Sequence, residues 1–407
     1  MTVELQINNS ASANSRFLTW APSPCRARVT DPSGASSATV SLTTSGRSSA
    51  NGGAVQFRLG NSGPFSANLK LAVPTNGSSV PFFAAGKFGS PSSANGDVVI
   101  EARVGGTLAG SAPVMVRIRK DANTLSAAEC ERFINALAKL NDQGQGRYQD
   151  FRDMHATLAS LSQAHGFPGF LPWHRAYVLD LERDLQAIDA SVTLPYWRFD
   201  QPAPNIFTPN FLGKSDGVGT VQLSPSNPLR FWQTDGQPGI NRRPLFPIHS
   251  APPKLLNQTQ TLALGTDFGD FRGMEGNPHG FAHTSFDGWI QNPATAPKDP
   301  LFFLLHCNID RLWAVWQKNN GRFDPNLPAS FVPGGNPPGH NLDDTMWPWN
   351  GVITPPRPPT APGGQMAGSP CVSAPGPQPR VADCIDYRGA VNPAAAMGFD
   401  YDDVPFA

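Results

Sequence analysis

The placement of histidine constrains this chain more than any other feature. Six of the eight histidines in its 407 residues fall in two stretches. His155, His165 and His174 form one set of three; His279, His283 and His306 form the other. Neutral imidazole suits copper, zinc, iron and nickel, and three imidazoles on one ion leave positions open for a small ligand. Taken singly, each histidine has an ordinary reading. His279 and His283 are four apart and share one face of a helix, but packed or surface pairs do the same. His306 lies in an apolar run, Leu301 to Cys307, where a lone histidine is more often a satisfied core residue. Two compact sets, with only His249 and His340 outside them, are not core decoration, so a pair of metals is expected.

Composition excludes several alternatives. Lys+Arg and Asp+Glu both number 31, and no basic run or basic helix offers a surface for nucleic acid or an anionic membrane. The N-terminus lacks a basic segment followed by an apolar one, and no stretch approaches the roughly 18 apolar residues of a membrane span. A leaderless soluble protein, cytoplasmic in the simplest case, is the expectation. Five scattered cysteines without a CxxC pair argue against a disulfide framework and fit a reducing compartment, with a Cys371/Cys384 bridge left open.

The order of signals predicts a multidomain α+β protein. Residues 1–120 read as an all-β, sandwich-like domain: Ala38 to Thr44, Ala54 to Leu59, Ala67 to Val73, Val98 to Val104 and Val114 to Arg119 are short β-rich runs between turn residues, and the clearest alternate apolar with other residues. No histidine lies among them. Near Asp121 the pattern turns helical. Ser126 and Glu129 form a capping box, and helices are expected through Leu140, around Tyr148 to His155, and from Leu171 through Leu185. Asp200 to about Lys254 reads as a long loop. Helix is expected again around His279 to Ile290 and over Pro300 to Gln317, with Pro300 suited to a first turn. Proline and glycine dominate from Asn319 to Pro379. Residues 121–407 thus form the second, mainly helical domain.

The residues flanking the histidines carry a resemblance. Phe170-Leu171-Pro172-Trp173-His174-Arg175-Ala176-Tyr177, followed by Leu194-Pro195-Tyr196-Trp197, is similar to the first copper motif of the tyrosinase and catechol oxidase family. Asp299 to Trp313, with Leu301-Phe302-Phe303-Leu304-Leu305-His306 at its centre, resembles the second. Asp386-Tyr387-Arg388 and Gly398 to Asp403 resemble the end of that family's core, so the likeness runs from about Leu125 to Asp403.

The resemblance implies a core of four antiparallel helices around two coppers, with His155, His165 and His174 on CuA and His279, His283 and His306 on CuB. O2, bound as peroxide between the coppers, then oxidises catechols to o-quinones, with ortho-hydroxylation of monophenols in true tyrosinases; the substrates are small phenols. An o-aminophenol oxidase and a hemocyanin-like reversible O2 carrier are the alternatives on the same site. Glu275 stands where the family keeps a carboxylate that orients a water for phenol deprotonation. The next two positions depart from the pattern: Gly280 follows His279 where strong phenol hydroxylators often have asparagine, and Thr284 follows His283 where a basic residue is common. Gln163 occupies the place of a cysteine that some relatives crosslink to the second histidine. Pro293 stands at the gate position, implying an open mouth. From the residues themselves, Phe302, Phe303 and Cys307 are expected in the core, and Asp310 either accepts a hydrogen bond from a ligand imidazole or pairs with an arginine such as Arg311. Shielding of the site, homo-oligomer assembly and copper loading are the roles open to the N-terminal domain.

Overall fold

The computed structural model describes residues 1–31, 36–46, 52–60, 62–156, 158–215, 217, 219–334, 338–350 and 364–406, and the side chains of 158–160 lie outside that description. The chain divides into two compact units. The first comprises Met1–Ile118 with Ser369–Ala374 and Ala396–Ala407; the second comprises Arg119–Gly368 and Pro375–Ala395.

The first unit is all β. Its strands are β1 (Val3–Ile7), β2 (Phe17–Leu18), β3 (Ser23–Val29), β4 (Ser37–Gly46), β5 (Val55–Arg58), β6 (Leu69–Pro74), β7 (Ser79–Gly86), β8 (Val98–Val104) and β9 (Thr107–Val116). They form a four-stranded sheet, β1-β3-β7-β5, and a five-stranded one, β2-β9-β8-β4-β6. Side chains alternate along a strand, so Val40 and Leu42 of β4 and Cys25, Ala27 and Val29 of β3 enter one core shared by both sheets. The β8–β9 hairpin turns at Gly105-Gly106, both with positive φ, as a tight two-residue hairpin loop requires. The C-terminal tail completes this unit: Asp400 Oδ2 accepts the Trp20 and Ala21 N–H groups at 2.9 and 3.2 Å, and the Trp20 indole donates to Tyr401 O at 2.9 Å. Its resemblance to the end of a catalytic core gave no sign of this placement.

The second unit is mainly helical. Its helices are α1 (Ala127–Asn141), α2 (Tyr148–Ala156), α3 (Leu158–Ala164), α4 (Phe170–Ile188), α5 (Gln258–Leu262), α6 (Phe268–Phe271), α7 (Phe281–Thr284) and α8 (Leu301–Asn320). The Ser126/Glu129 capping box opens α1. α8 is apolar on nearly every side and is buried almost throughout, as such helices must be. Asp299 Oδ1 accepts the Leu301 N–H at 2.9 Å at its start, and Gly321 ends it with φ 65°. The Leu-Pro-Tyr-Trp motif fastens to both long helices: Leu194 N–H donates to Glu182 of α4 and Trp197 N–H to Leu304 O of α8, each at 2.9 Å.

Two expectations change. The helix expected over His279 to Ile290 is a π-type turn, Gly276–Gly280, running into the four-residue α7, and Phe286–Gly288 is a strand paired with Arg242–Pro244. The expected long loop also holds two further short strand pairs, Lys214–Ser215 with Val221–Gln222 and Gln233–Thr234 with Gln237–Pro238. Neither has enough apolar alternation to announce itself. The proline-rich stretch after Asn319 includes residues 335–337 and 351–363, outside the described residues. None of the five cysteines is in a disulfide, so Cys371 and Cys384 are not bridged. No described helix is long and apolar enough to cross a membrane.

Candidate metal centre

α2 delivers His155, the turn after α3 His165, α4 His174, the π-type turn His279, α7 His283 and α8 His306. Within each set of three, one nitrogen per ring lies within 4.8 Å of the others. The backbone sets the orientation. Nδ1 of His155 is 3.0 Å from Pro293 O, that of His174 2.9 Å from Phe170 O, that of His279 2.9 Å from Glu275 O and that of His283 2.7 Å from Ile290 O. An Nδ1–H given to a carbonyl leaves Nε2 as the lone-pair donor. Nε2 of His155, His174 and His279 is buried with no hydrogen-bond partner among the described residues. His283 and His306 Nε2 lie 3.2 Å apart, close to the roughly 3.3 Å between two nitrogens bound at about 2.0 Å to one tetrahedral ion. Orphaned nitrogens facing one another are what a metal ion satisfies, and an all-imidazole donor set suits copper.

Burial holds every imidazole neutral, as ligation requires. It pushes His165 and His283 down to about 4 and the other four well below the usual histidine range, with neighbouring imidazoles adding to the effect at every one but His165. Aromatic packing fixes the rings. His174 and His306, one from each set, stack at 4.1 Å with a 9° interplanar angle; Phe302 lies 4.2 Å from His306 and 4.8 Å from His155, and Phe170 4.7 and 4.8 Å from His174 and His279. Phe302, Phe303 and Cys307 are fully buried.

Asp310 takes the second of its two expected roles, pairing with arginines. Its carboxylate lies 2.5 Å from Arg175 Nε and 3.2 Å from Arg119 Nη1, while Arg119 also pairs with Glu182 at 2.6 Å. Arg311 reaches Asn308 and Gln258. The partners of the four ligand Nδ1 atoms are carbonyls, which no side-chain motif could reveal.

Above the ligands the second unit opens. A cavity of about 550 Å³ is lined by His279, Glu275, Arg272 and the glycines 166, 269, 273, 276 and 280. Glu275 Oε1 accepts the Gly166 N–H at 2.6 Å, and burial raises its pKa. A Cβ on Gly280 would meet only Glu275 O at 3.7 Å. Thr284 turns its hydroxyl back onto Gly280 O at 2.9 Å. Pro293 is exposed and holds His155 through its carbonyl. Gln163 is buried; its Oε1 accepts the Trp347 N–H at 2.9 Å. His340, outside both sets of three, is fully buried: its Nδ1 accepts the Gly169 N–H at 3.1 Å and its Nε2 lies 3.2 Å from Ser162 O. It thereby clamps both ends of the loop that carries His165. Sequence reasoning missed this role and Arg272; a histidine outside both sets was the one available signal.

Two buried imidazole triads sharing stacked rings define a dicopper site of the type 3 class. Residues 145–319 match the common central domain of tyrosinase. A tyrosinase of Streptomyces antibioticus is 34% identical over 264 residues, covering 57% of this chain and 93% of the relative. One from Streptomyces glaucescens is 33% identical over 262 residues, 57% of this chain and 92% of that protein. Among solved structures, a functional unit of octopus hemocyanin is similar with a TM-score of 0.46 at 23% identity, over 70% of this chain and 68% of that one. The chain belongs to the tyrosinase family, and its two triads are the CuA and CuB ligand sets.

Proposed function

We propose that this protein oxidises catechols to o-quinones with O2, acting on small phenolic substrates. The observation that carries the reading is the open cavity above His279, with room for a phenol ring beside a copper ligand. A reversible carrier needs the ligands and the aromatic packing but not that opening. Copper bound at the two triads supplies O2 binding and accepts the two electrons that a catechol gives up.

The chain's own residues orient the substrate and move its protons. Gly280 adds no bulk over His279, leaving a ring free to approach. Glu275, made more basic by its burial, keeps one oxygen on Gly166 N–H and the other without a hydrogen bond among the described residues, facing its role as acceptor of the phenolic proton. Gly280 offers no side-chain acceptor to hold a water beside Glu275, so catechol oxidation is expected to outrun phenol hydroxylation. Thr284, with its hydroxyl engaged on Gly280 O, places no positive charge at the position that is often basic.

Side-by-side oxygen uptake on L-tyrosine and L-DOPA tests this. L-DOPA is expected to be consumed readily and tyrosine slowly, after a lag. Rapid tyrosine oxidation overturns the role given to Gly280. Reversible O2 binding without turnover of either substrate replaces the oxidase with a carrier. Quinone-imine products from o-aminophenols, formed faster than quinones from catechols, would instead mark an o-aminophenol oxidase.

A further inference from the structure

We propose that Arg272 makes the mouth of this cavity a carboxylate-binding subsite, so that the preferred substrates are catechols whose side chain ends in a carboxylate. The proposal rests on the oxidase reading of the same site and adds a substrate class to it.

Arg272 begins the turn Arg272–Glu275, and the π-type turn bearing His279 follows directly. Arg272, Glu275 and His279 therefore line the same cavity on successive turns. Unlike several other cations of this unit, Arg272 has no side-chain partner among the described residues. Lys298 holds Asp235 at 2.6 Å, Arg243 holds Asp287 at 2.6 Å, and Arg322 lies 3.7 Å from Asp267. No hydrogen bond or ion pair among the described residues engages the guanidinium of Arg272, although it is half-buried.

A half-buried, unpaired guanidinium beside a metal centre is a poor resting state unless an anion visits it. The planar fork of arginine matches a carboxylate in two parallel hydrogen bonds. The walls between Arg272 and His279 leave the path clear: a Cβ added at Gly273 or Gly276 would meet nothing within 4 Å. Glu275 is the one acid lining the cavity, and one of its oxygens is turned to Gly166. Copper held by the two triads would add positive charge to that of Arg272, which would draw anionic side chains and discourage cationic ones.

The test uses ring-matched probes that cannot be oxidised, so it does not depend on turnover. Calorimetry on the copper-loaded full chain compares 3-phenylpropionate with 2-phenylethylamine. The acid is expected to bind about five-fold more tightly or better, as one partly exposed charge pair provides. In R272Q the ratio should fall to near one, and in R272K most of it should return. Native protein that binds both probes equally, or neither, overturns the proposal. So does R272Q that keeps the preference, the result expected if copper alone attracts the carboxylate. In parallel, oxygen uptake is followed with 3-(3,4-dihydroxyphenyl)propionate, dopamine and 4-methylcatechol. Failure to oxidise any of the three removes the oxidase reading while the binding ratio still decides the subsite.

Discussion

At the floor of the site His306, Phe302 and Phe303 lie fully buried on α8, and the rings of His174 and His306 stack across the two triads. At the mouth, Gly273 and Gly276 border open space and Arg272 has no partner among the described residues. The floor is held by carbonyls, aromatic rings and buried ion pairs that leave each ligand ring a single orientation. The mouth is held by little. Rigidly held ligands are what a metal site needs, because a metal tolerates little misplacement of its donors.

The sharpest way to break this contrast is to remove a ligand. In His306→Ala, copper content should fall from two ions per chain and catechol oxidation should drop by more than about 100-fold, since losing even an outer partner of a ligand costs about 10–100-fold. Metal analysis and oxygen uptake check it; full copper with normal turnover would remove His306 from the site. Next comes the ion network under the floor. Asp310→Ala leaves Arg119 and Arg175 short of a buried carboxylate and should cost about 3–5 kcal/mol in urea unfolding.

A smaller effect concerns the far end of α4. Burial, with the charge of Asp180, pushes the Asp184 carboxyl up to about 7, and Arg147 at 2.9 Å offsets this only in part. The folded chain therefore holds a proton there that the unfolded chain, with an ordinary value near 4, has already released. Stability from this group is fully present below about pH 4 and is lost as pH rises through 7, with a slope of at most about 1.4 kcal/mol per pH unit. Melting curves from pH 5 to 8 should show the decline, and Asp184→Asn should flatten it; an unchanged slope in the variant contradicts the assignment. The smallest expected effect is at the mouth. Gly280→Asn should change stability by less than about 0.5 kcal/mol, because space is open there, while raising the ratio of tyrosine to L-DOPA turnover.

The same contrast separates what the sequence reveals from what it hides. The floor was legible because its demands fall on side chains in local patterns: histidines at fixed spacings, aromatic residues inside each copper motif, Asp299-Pro300 at the start of α8. The β strands were legible where apolar residues alternate, as in β5 and β8, and β1, β3 and β7 less so. That Asp310 pairs with arginine was legible, but not which ones, because Arg119 and Arg175 lie 191 and 135 residues away in the chain. Orientation of the ligands by the carbonyls of Pro293, Phe170, Glu275 and Ile290 left no side-chain signature. The turn around His279 was mistaken for a regular helix because an i,i+4 histidine pair fits either. Arg272 stayed hidden because a single arginine in a short turn looks like any surface charge.

Oxygen uptake with 4-methylcatechol as copper is titrated into the metal-free full chain tests the central claim most directly. The rate should rise with added copper and level off at two equivalents per chain. A protein that binds two coppers and consumes no oxygen with the catechol would contradict it.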